Sequence, residues 1–227
     1  MTLQEFMDYL HSQYQGDTST PSSSDEDWDV RLHLLYDAIA AWEGMDGVTW
    51  AELWAMNSDS SDGDVLTVAN TAQYDAPSDF RFAGGFVRLI DSTGGSDFYS
   101  VKQPHEVELY RNDTGKICWF TGNKKAGYKL NFLNTPTAGL EIEYPYYKSP
   151  FLPTTVGHVI EMADPWFAVK YVLSKLHELD GEGDRAGLAL ALANGKLQNM
   201  KSKNQMPIWF QDNSIPDNDP SESGFGG

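Results

Sequence analysis

The fold is decided near the carboxyl end, where residues 164–203 read DPWFAVKYVLSKLHELDGEGDRAGLALALANGKLQNMKSK. Asp164 and Pro165 favour a helix start, because the N–H that proline lacks would be unpaired in the first turn anyway. The DGEG run at 180–183 interrupts the helical pattern, and a last helix is predicted from about 184 to 203. A short break between two apolar stripes predicts an antiparallel helical hairpin. The two stripes are Trp166, Val169, Val172, Leu173, Leu176 and Leu179, and then Ala186, Leu190, Ala193, Leu197 and Met200.

The amino-terminal part also has helical patterns. Thr2 and Glu5 form a T-x-x-E capping box, and Gly16 ends the helix that it begins. A polar Ser/Thr/Pro linker follows at 17–24, and a second helix is predicted from Asp25. A second T-x-x-E pattern at residues 49–52 predicts a short third helix, to about residue 56. The apolar stripes are Leu3, Phe6, Met7, Leu10 and Tyr14 in the first helix, and Trp28, Leu32, Leu35, Ile39 and Trp42 in the second.

The middle of the chain changes to a period of two. Apolar residues alternate with polar ones at 128–132 and at 140–144, which is typical of strands with one buried face. The connection between them, 134–139, predicts that these two strands form a hairpin. Residues 106–111 leave two alternatives open, a short helix after Pro104 or one side of a hairpin. Further strands are predicted at Phe86–Ile90, Phe98–Val101 and Ile117–Phe120.

These patterns predict an α+β protein. We expect a helical bundle formed by the N- and C-terminal helices, with an antiparallel β-subdomain inserted between them. The expected segments are N-terminal helices at 1–57, a β-rich subdomain at 65–155, a C-terminal helical hairpin at 156–203 and an extended tail at 204–227.

The charge balance narrows the class of function. Thirty-three acidic residues against 16 basic ones give a formal net charge of −17, whereas duplex-binding proteins need Lys and Arg to neutralise phosphates. Two interpretations remain open: an acidic surface that lets DNA slide past, or charge that keeps the protein soluble. Without an apolar run of about 18 residues or a basic-then-apolar leader, we expect synthesis in the host cytoplasm and no membrane.

Catalytic motifs are sparse. The sequence has no G-x-S-x-G, P-loop or G-x-G-x-x-G pattern, its five histidines are scattered, and Cys118 is its single cysteine. Glu141 and Glu143 could serve a carboxylate-dependent hydrolase, but they alternate with apolar residues as exposed strand carboxylates do. The acidic loop 57–64 lacks the order of a calcium loop and is interpreted as a solvated turn. We therefore expect no enzyme, metal or cofactor. The aromatic run at 144–147 is expected to pack in a core or interface rather than stack on bases.

The tail holds the candidate partner-binding residues. Ile208, Trp209, Phe210 and, further on, Ile215 are apolar within a polar segment. A disordered tail has no internal use for such a cluster. The cluster therefore either docks on its own domain or anchors another protein.

Three short segments carry a resemblance to a known family. They read QYDAPSDFR at 73–81, YPYYKSP at 144–150 and EMADPWF at 161–167. In this order, after a helical block, they resemble the head-to-tail adaptor (connector) proteins of tailed bacteriophages. The resemblance spans residues 25–203.

The resemblance implies a virion structural protein of the neck and tail region. It implies a homo-oligomeric ring of about twelve copies, bound to the portal protein above and to tail or nozzle proteins below. DNA would pass through the ring during genome ejection without sequence-specific binding. It also implies a terminal arm that reaches the portal, for which Ile208, Trp209 and Phe210 are the candidates. A tail-completion or neck protein at another level is the alternative within this class. We expect part of the aromatic area of Trp28, Trp42, Trp50 and Trp54 to lie at subunit borders.

Overall fold

The computed structural model describes residues 1–112 and 114–204, and this part of the chain is α+β, with four helices and two sheets. The helices are α1 (Leu3–Gln15), α2 (Glu26–Glu43), α3 (Trp166–Leu179) and α4 (Gly183–Lys203). The strands are β1 (Trp54–Met56), β2 (Gln73–Asp75), β3 (Phe80–Ala83), β4 (Phe86–Ile90), β5 (Ser96–Val101), β6 (Ile117–Asn123), β7 (Gly127–Phe132), β8 (Glu141–Glu143) and β9 (Pro145–Lys148).

The helix boundaries follow the predicted signals. Thr2 and Glu5 exchange both hydrogen bonds of a capping box, with Glu5 N–H donating to Thr2 Oγ1 at 3.2 Å. Gly16 ends α1 in the left-handed conformation, at φ 79°. The tight turn between α3 and α4 contains Gly181 at φ 76°. The helices predicted from these stretches are thus confirmed.

A helical core cluster combines residues from both ends of the chain. Trp42 and Trp50 are stacked in it at 5.4 Å between ring centroids, and Trp50 Nε1–H donates to the Trp42 carbonyl at 2.7 Å. Trp28 is buried in the same cluster, whereas Trp54 remains 48% exposed. Trp28, Trp42 and Trp50 therefore do not contribute to a subunit border, and the expectation that part of this aromatic area lies there stays a prediction for Trp54.

The six-stranded sheet has the order β2-β7-β6-β5-β4-β8. The strands predicted at 128–132 and 140–144 exist, but they do not form a hairpin. Three strands separate β7 from β8, because β7 pairs with β6 through a tight turn and β8 pairs with β4. The sheet is also not wholly antiparallel, since β5 and β6 are parallel. Their connection contains the ambiguous segment, which forms a 3-10 turn at Val107–Tyr110.

A second, three-stranded sheet has the order β1-β9-β3. The third helix expected to end near residue 56 is wrong: only Ala51–Leu53 make a 3-10 turn, and β1 follows at once. Long-range pairing overrides the local capping signal, because Trp54, Ala55 and Met56 lie opposite Tyr147, Tyr146 and Pro145.

One segment covers both edges of the six-stranded sheet. Thr67 N–H donates to the Leu140 carbonyl at 2.8 Å, next to β8, and Asp64 N–H donates to the Asp75 carbonyl in β2 at 2.8 Å. The buried Asn57 side chain adds two bonds, to the Ile142 carbonyl at 2.8 Å and from Tyr144 N–H at 2.7 Å. These bonds cover part of both edges within the protomer.

The sheet core cluster is largely aromatic. Phe80 stacks on Phe120 at 4.5 Å and on Tyr146 at 5.7 Å, and Tyr144 meets Phe120 edge-on at 5.3 Å. Tyr144 and Tyr146 are buried. Of the two kinds of packing expected for the aromatic run at 144–147, core or interface, these two tyrosines show core packing.

The β6–β7 turn gives a matched pair of glycine substitutions. Gly122 (φ 113°) and Gly127 (φ 81°) both have positive φ, but a Cβ on Gly122 would lie 2.2 Å from the Gly127 carbonyl oxygen, whereas one on Gly127 meets nothing within 4 Å. We expect Gly127→Ala to lower the free energy of unfolding by about 1 kcal/mol from backbone strain alone, and Gly122→Ala by about 3 kcal/mol or more. Urea denaturation measures both, and equal losses would contradict the clash.

Candidate functional site

The outer side of α4 carries an exposed apolar stripe. Ala189, Ala193 and Met200 face the helical core cluster. Another face presents four residues at spacings of three, one and three, which we call the α4 outer stripe: Leu188, Ala191, Leu192 and Gly195. Leu188 is 67% exposed and Leu192 49%. Helical periodicity therefore gives α4 two apolar faces, of which the protomer covers one.

The buried face of α4 differs from the predicted one. Ala193 and Met200 are buried as expected, but Leu190 is exposed, and Ala186 and Leu197 are only half-buried. Ala189, which the predicted stripe omitted, is buried. Small residues let two helix backbones approach closely, so alanines rather than leucines lie against α3.

A second exposed apolar surface lies before α3. We call it the 151–159 patch: Phe151, Leu152, Val156 and Val159, all of them exposed. The segment is fixed to α1, because Leu3 N–H donates to the His158 carbonyl at 2.8 Å and Gln4 N–H to the Val156 carbonyl at 3.0 Å. Tyr36 holds it from α2, donating to the Pro153 carbonyl at 3.0 Å. The backbone of the patch is therefore fixed by hydrogen bonds to α1 and α2, which sequence periodicity did not indicate.

Burial of these side chains against a partner would be favourable. Removing one leucine or phenylalanine side chain from water contributes about 2 kcal/mol. Contiguous exposed apolar residues on a soluble protomer mark interaction surfaces more often than chance exposure does. The α4 outer stripe and the 151–159 patch are thus the candidate contact surfaces.

The carboxylates proposed for a hydrolase have structural partners. Glu143 forms an ion pair with Arg88 across β8 and β4, with Arg88 Nε donating to its carboxylate at 2.8 Å. Glu141 lies exposed on the same strand. Being two residues apart on a strand, both carboxylates point to one sheet face, as expected. The expected exposure is confirmed for Glu141, whereas Glu143 is half-buried in its ion pair.

Two other carboxylates border a cleft of 420 Å³ and are already engaged as well. Asp79 accepts a hydrogen bond from Tyr146 Oη at 2.8 Å. Glu161 accepts from Lys148 Nζ at 2.5 Å and from Phe151 N–H at 2.9 Å. These bonds join β9 to the start of the 151–159 patch, which is a structural role.

The acidic loop at 57–64 is bonded to its own protein. Asp62 accepts from Ser78 N–H at 3.2 Å and from Ser60 Oγ at 2.8 Å, and hydrogen bonds from the side chains of Ser78 and Ser60 lower the pKa of its carboxyl group. Asp64 accepts from Asp75 N–H at 2.6 Å. Across residues 1–112 and 114–204 no group of three or more His, Cys, Asp or Glu side chains is arranged to hold a metal ion.

A series of hydrogen-bonded side chains, buried at Arg31 and His11 and exposed at Asp17, joins α1, α2 and the linker. Arg31, which is buried in α2, donates from Nη1 to His11 Nδ1 at 3.0 Å. Because a guanidinium only donates, the His11 proton is on Nε2 and is donated to Asp17 Oδ1 at 2.5 Å. Burial lowers the pKa of Arg31, and hydrogen bonds from Ser19 lower that of Asp17. This series fixes the linker on the helical core, and His11 is too buried to reach a substrate.

A cleft of 480 Å³ lies along β3. Phe80, Phe120 and Tyr128 contribute aromatic side chains, while Arg81 and Lys102 contribute positive charge. The described residues that line it include no Asp, Glu, His or Cys. Cys118 itself is buried, and burial raises the pKa of its thiol, so the reactive thiolate is disfavoured.

The predicted partner-binding residues Ile208, Trp209, Phe210 and Ile215 lie outside the described residues. No helix within 1–112 and 114–204 has the length and apolarity to cross a membrane. No protein-family model matches the chain, and no curated protein matches its sequence.

Tyr14 gives a pH-dependent test of the α1–α3 contact. Its hydroxyl donates to Asp180, and burial together with this bond raises the pKa of Tyr14 to about 12. Between pH 10 and 12 the unfolded chain loses this proton while the folded protein keeps it. The contribution of the Tyr14 hydroxyl to the free energy of unfolding is therefore fully present below pH 10 and is lost as the pH rises to 12. The wild type should therefore lose up to about 2 kcal/mol more unfolding free energy over this pH range than Tyr14→Phe does.

The measurement is urea denaturation of the wild type and Tyr14→Phe at several values between pH 8 and 12. The control is Tyr9→Phe, on the same helix, because Tyr9 makes no hydrogen bond with the described residues. A pH slope that is the same in Tyr14→Phe and the wild type would refute the assignment.

Proposed function

We propose that this protein is a virion structural protein, a ring-forming head-to-tail adaptor that links the portal to the tail of a bacteriophage. The observation that carries the proposal is the pair of exposed apolar surfaces on one protomer, the α4 outer stripe and the 151–159 patch. A ring of identical copies needs two different surfaces that meet head to tail and close. Two separate apolar surfaces satisfy that requirement.

The proposed architecture is a helical bundle from both chain ends with the β-subdomain inserted between them. The helical core cluster supports it, because Leu3 and Phe6 of α1, Trp42 of α2 and Phe167 of α3 belong to one cluster. The first and last strands of the β-region, β1 and β9, pair with each other. The bundle would then provide the subunit borders, since the α4 outer stripe lies on it.

The charge supports passage of DNA through the proposed ring. A net charge of −17 on each copy repels phosphates, so a channel lined by such subunits would not retain the genome. The protein would act in the neck of the particle by assembly and without catalysis or a cofactor. Portal protein and tail or nozzle proteins would be its partners, and Ile208, Trp209 and Phe210 would form the arm towards the portal.

The test uses one charged variant for each surface. Leu188→Glu/Leu192→Glu places carboxylates in the α4 outer stripe, and Leu152→Glu/Val156→Glu places them in the 151–159 patch. We expect the wild type to form rings at rising concentration and each variant alone to remain monomeric, since a buried unpaired charge is strongly unfavourable. Light scattering after size exclusion and negative-stain electron microscopy measure this. Leu109→Glu, at an exposed site outside both surfaces, is the control.

Mixing the two variants tests whether the contact is head to tail. Each variant keeps one intact surface, so a head-to-tail contact predicts a mixed dimer that goes no further. A monomeric wild type at every concentration, or variants that assemble like the wild type, would refute the proposal. A mixture that yields no dimer would exclude a contact between these two surfaces.

A further inference from the structure

Strand β6 is paired along the whole of one side but along only the start of the other. β7 pairs with it from Cys118 to Asn123, whereas β5 pairs with it only at Ile117 and Cys118. β5 ends at Val101, and Pro104, which has no N–H to continue a ladder, follows three residues later. The β5 side of β6 is therefore open beyond Cys118. We call this side of residues 119–123 the β6 edge.

The backbone groups that face the β6 edge have no partner. Lys102 N–H donates to the Cys118 carbonyl at 2.9 Å, so the backbone groups of Cys118 face the β5 side. Successive residues of a strand direct their N–H and C=O groups to opposite sides, so Phe120 and Gly122 face the same side as Cys118. Within the described residues no group bonds to the N–H or C=O of Phe120 or Gly122. Unpaired groups of this kind are a template for an added strand.

The 480 Å³ cleft opens at this edge. Phe120 and Gly122 line it, together with Phe80 and Tyr128. The Phe80 ring lies 4.5 Å from the Phe120 ring and 5.2 Å from the Tyr128 ring, measured between centroids. We call these three rings the aromatic wall. An extended segment in the cleft would therefore bond to the β6 edge through its backbone and place a side chain on the aromatic wall.

Lys102 closes one end of the β6 edge. Because its N–H already bonds to Cys118, a strand beside Phe120 would lie in line with β5 and would have to end where Lys102 begins. A segment that continued in the same direction would meet the backbone of β5. The edge is thus suited to the end of a chain rather than to the middle of one.

The charge at this end is positive and available. The Lys102 side chain lines the cleft, with its ammonium group 5.2 Å from the centroid of the Tyr110 ring, and no described carboxylate forms an ion pair with it. Arg81, the other cation of the cleft, is already paired with Glu43 at 3.3 Å. The described residues that line the cleft include no Asp or Glu. A negative group at the end of an added strand would therefore be bound favourably by Lys102.

These two features select the direction of the strand. A strand parallel to β6 would begin at Lys102 and would bring a positively charged amino terminus against it. An antiparallel strand would end at Lys102 with its carboxylate. Its last residue would lie opposite Phe120, donate its N–H to the Phe120 carbonyl and share one sheet face with the Phe120 ring.

We propose that the β6 edge binds the carboxyl terminus of a partner protein. The last residues of the partner form a strand antiparallel to β6, with the terminal carboxylate at Lys102 and an apolar last side chain on the aromatic wall. The β6 edge shares no residue with the α4 outer stripe or the 151–159 patch. The proposal can therefore fail while the adaptor proposal stands, and the reverse also holds.

Binding is tested on the full-length protein with a selected peptide. The probe is the heptapeptide that dominates a selection from random heptapeptides displayed with a free carboxyl terminus, and its last residue should be apolar. Fluorescence anisotropy compares its affinity with that of its C-terminal amide. We expect the amide to bind about tenfold more weakly, because it lacks the charge that meets Lys102. A selection without a binder, or an amide of equal affinity, would overturn the proposal.

Lys102→Gln assigns this difference to one side chain. The variant should bind the free acid as weakly as the wild type binds the amide. Its affinity for the amide should stay unchanged, which also verifies that it is folded. Lys201→Gln, which removes an exposed charge of α4 outside the cleft, is the matched control and should keep the tenfold difference. A tenfold difference that persists in Lys102→Gln would refute the position of the carboxylate.

Amide hydrogen exchange, followed by NMR for each residue, tests the addition of a strand. The amide hydrogens of Phe120 and Gly122 should exchange rapidly in the free protein and about tenfold more slowly with the peptide bound, because their N–H groups gain acceptors. Thr121, whose N–H faces β7, is the matched control and should exchange slowly in both states. Slow exchange of Phe120 and Gly122 in the free protein would show that the protein itself already covers the edge. That result, or exchange that the peptide leaves unchanged, would overturn the proposal.

Discussion

Burial of the helical core cluster is the constraint on which the rest of the structure depends. Trp42 and Trp50 stack on each other, and α3 closes the cluster from the other end of the chain. Because the cluster draws on sequence-distant helices, it also brings the residues on either side of Trp50 close to β9 and to the end of α4. The pairing of β1 with β9 follows from that, as does the anchoring of Asn204 at Thr49 and Ala51.

Local patterns were sufficient for most elements of the fold. The capping box at Thr2 and the period-two segments at 128–132 and 140–144 correspond to observed elements, because those signals depend on neighbours in sequence. Pairing was not predictable in the same way. The assumption that consecutive strands form a hairpin failed for β7 and β8, whose partners lie elsewhere in the sheet. The prediction of a third helix was wrong because strand pairing of Trp54–Met56 with β9 stabilises this segment more than a four-residue capping signal does.

The candidate surfaces were only partly visible in the sequence. Periodicity identified an apolar stripe on α4 but assigned Leu190 to the interior and omitted Ala189, since hydrophobicity alone does not report how closely two helices approach. Four tryptophans between residues 28 and 54 were recognised as an excess of aromatic area, yet three of these four are buried and the fourth, Trp54, is exposed. The 151–159 patch has no periodic signal, because hydrogen bonds from α1 and α2 determine its conformation rather than a repeat.

The net charge opposes assembly of the proposed ring, whereas burial of exposed apolar side chains favours it. Each copy carries a charge of −17, so neighbouring copies repel one another, and this repulsion is screened beyond about 8 Å at physiological ionic strength. Carboxylates that come closer than that distance still repel one another, so burial of leucine and phenylalanine at a contact has to exceed this unscreened repulsion. A narrow apolar stripe such as Leu188 and Leu192 is suited to this balance, since it brings few carboxylates into contact. Assembly would then strengthen with salt, the opposite of what contacts between unlike charges produce.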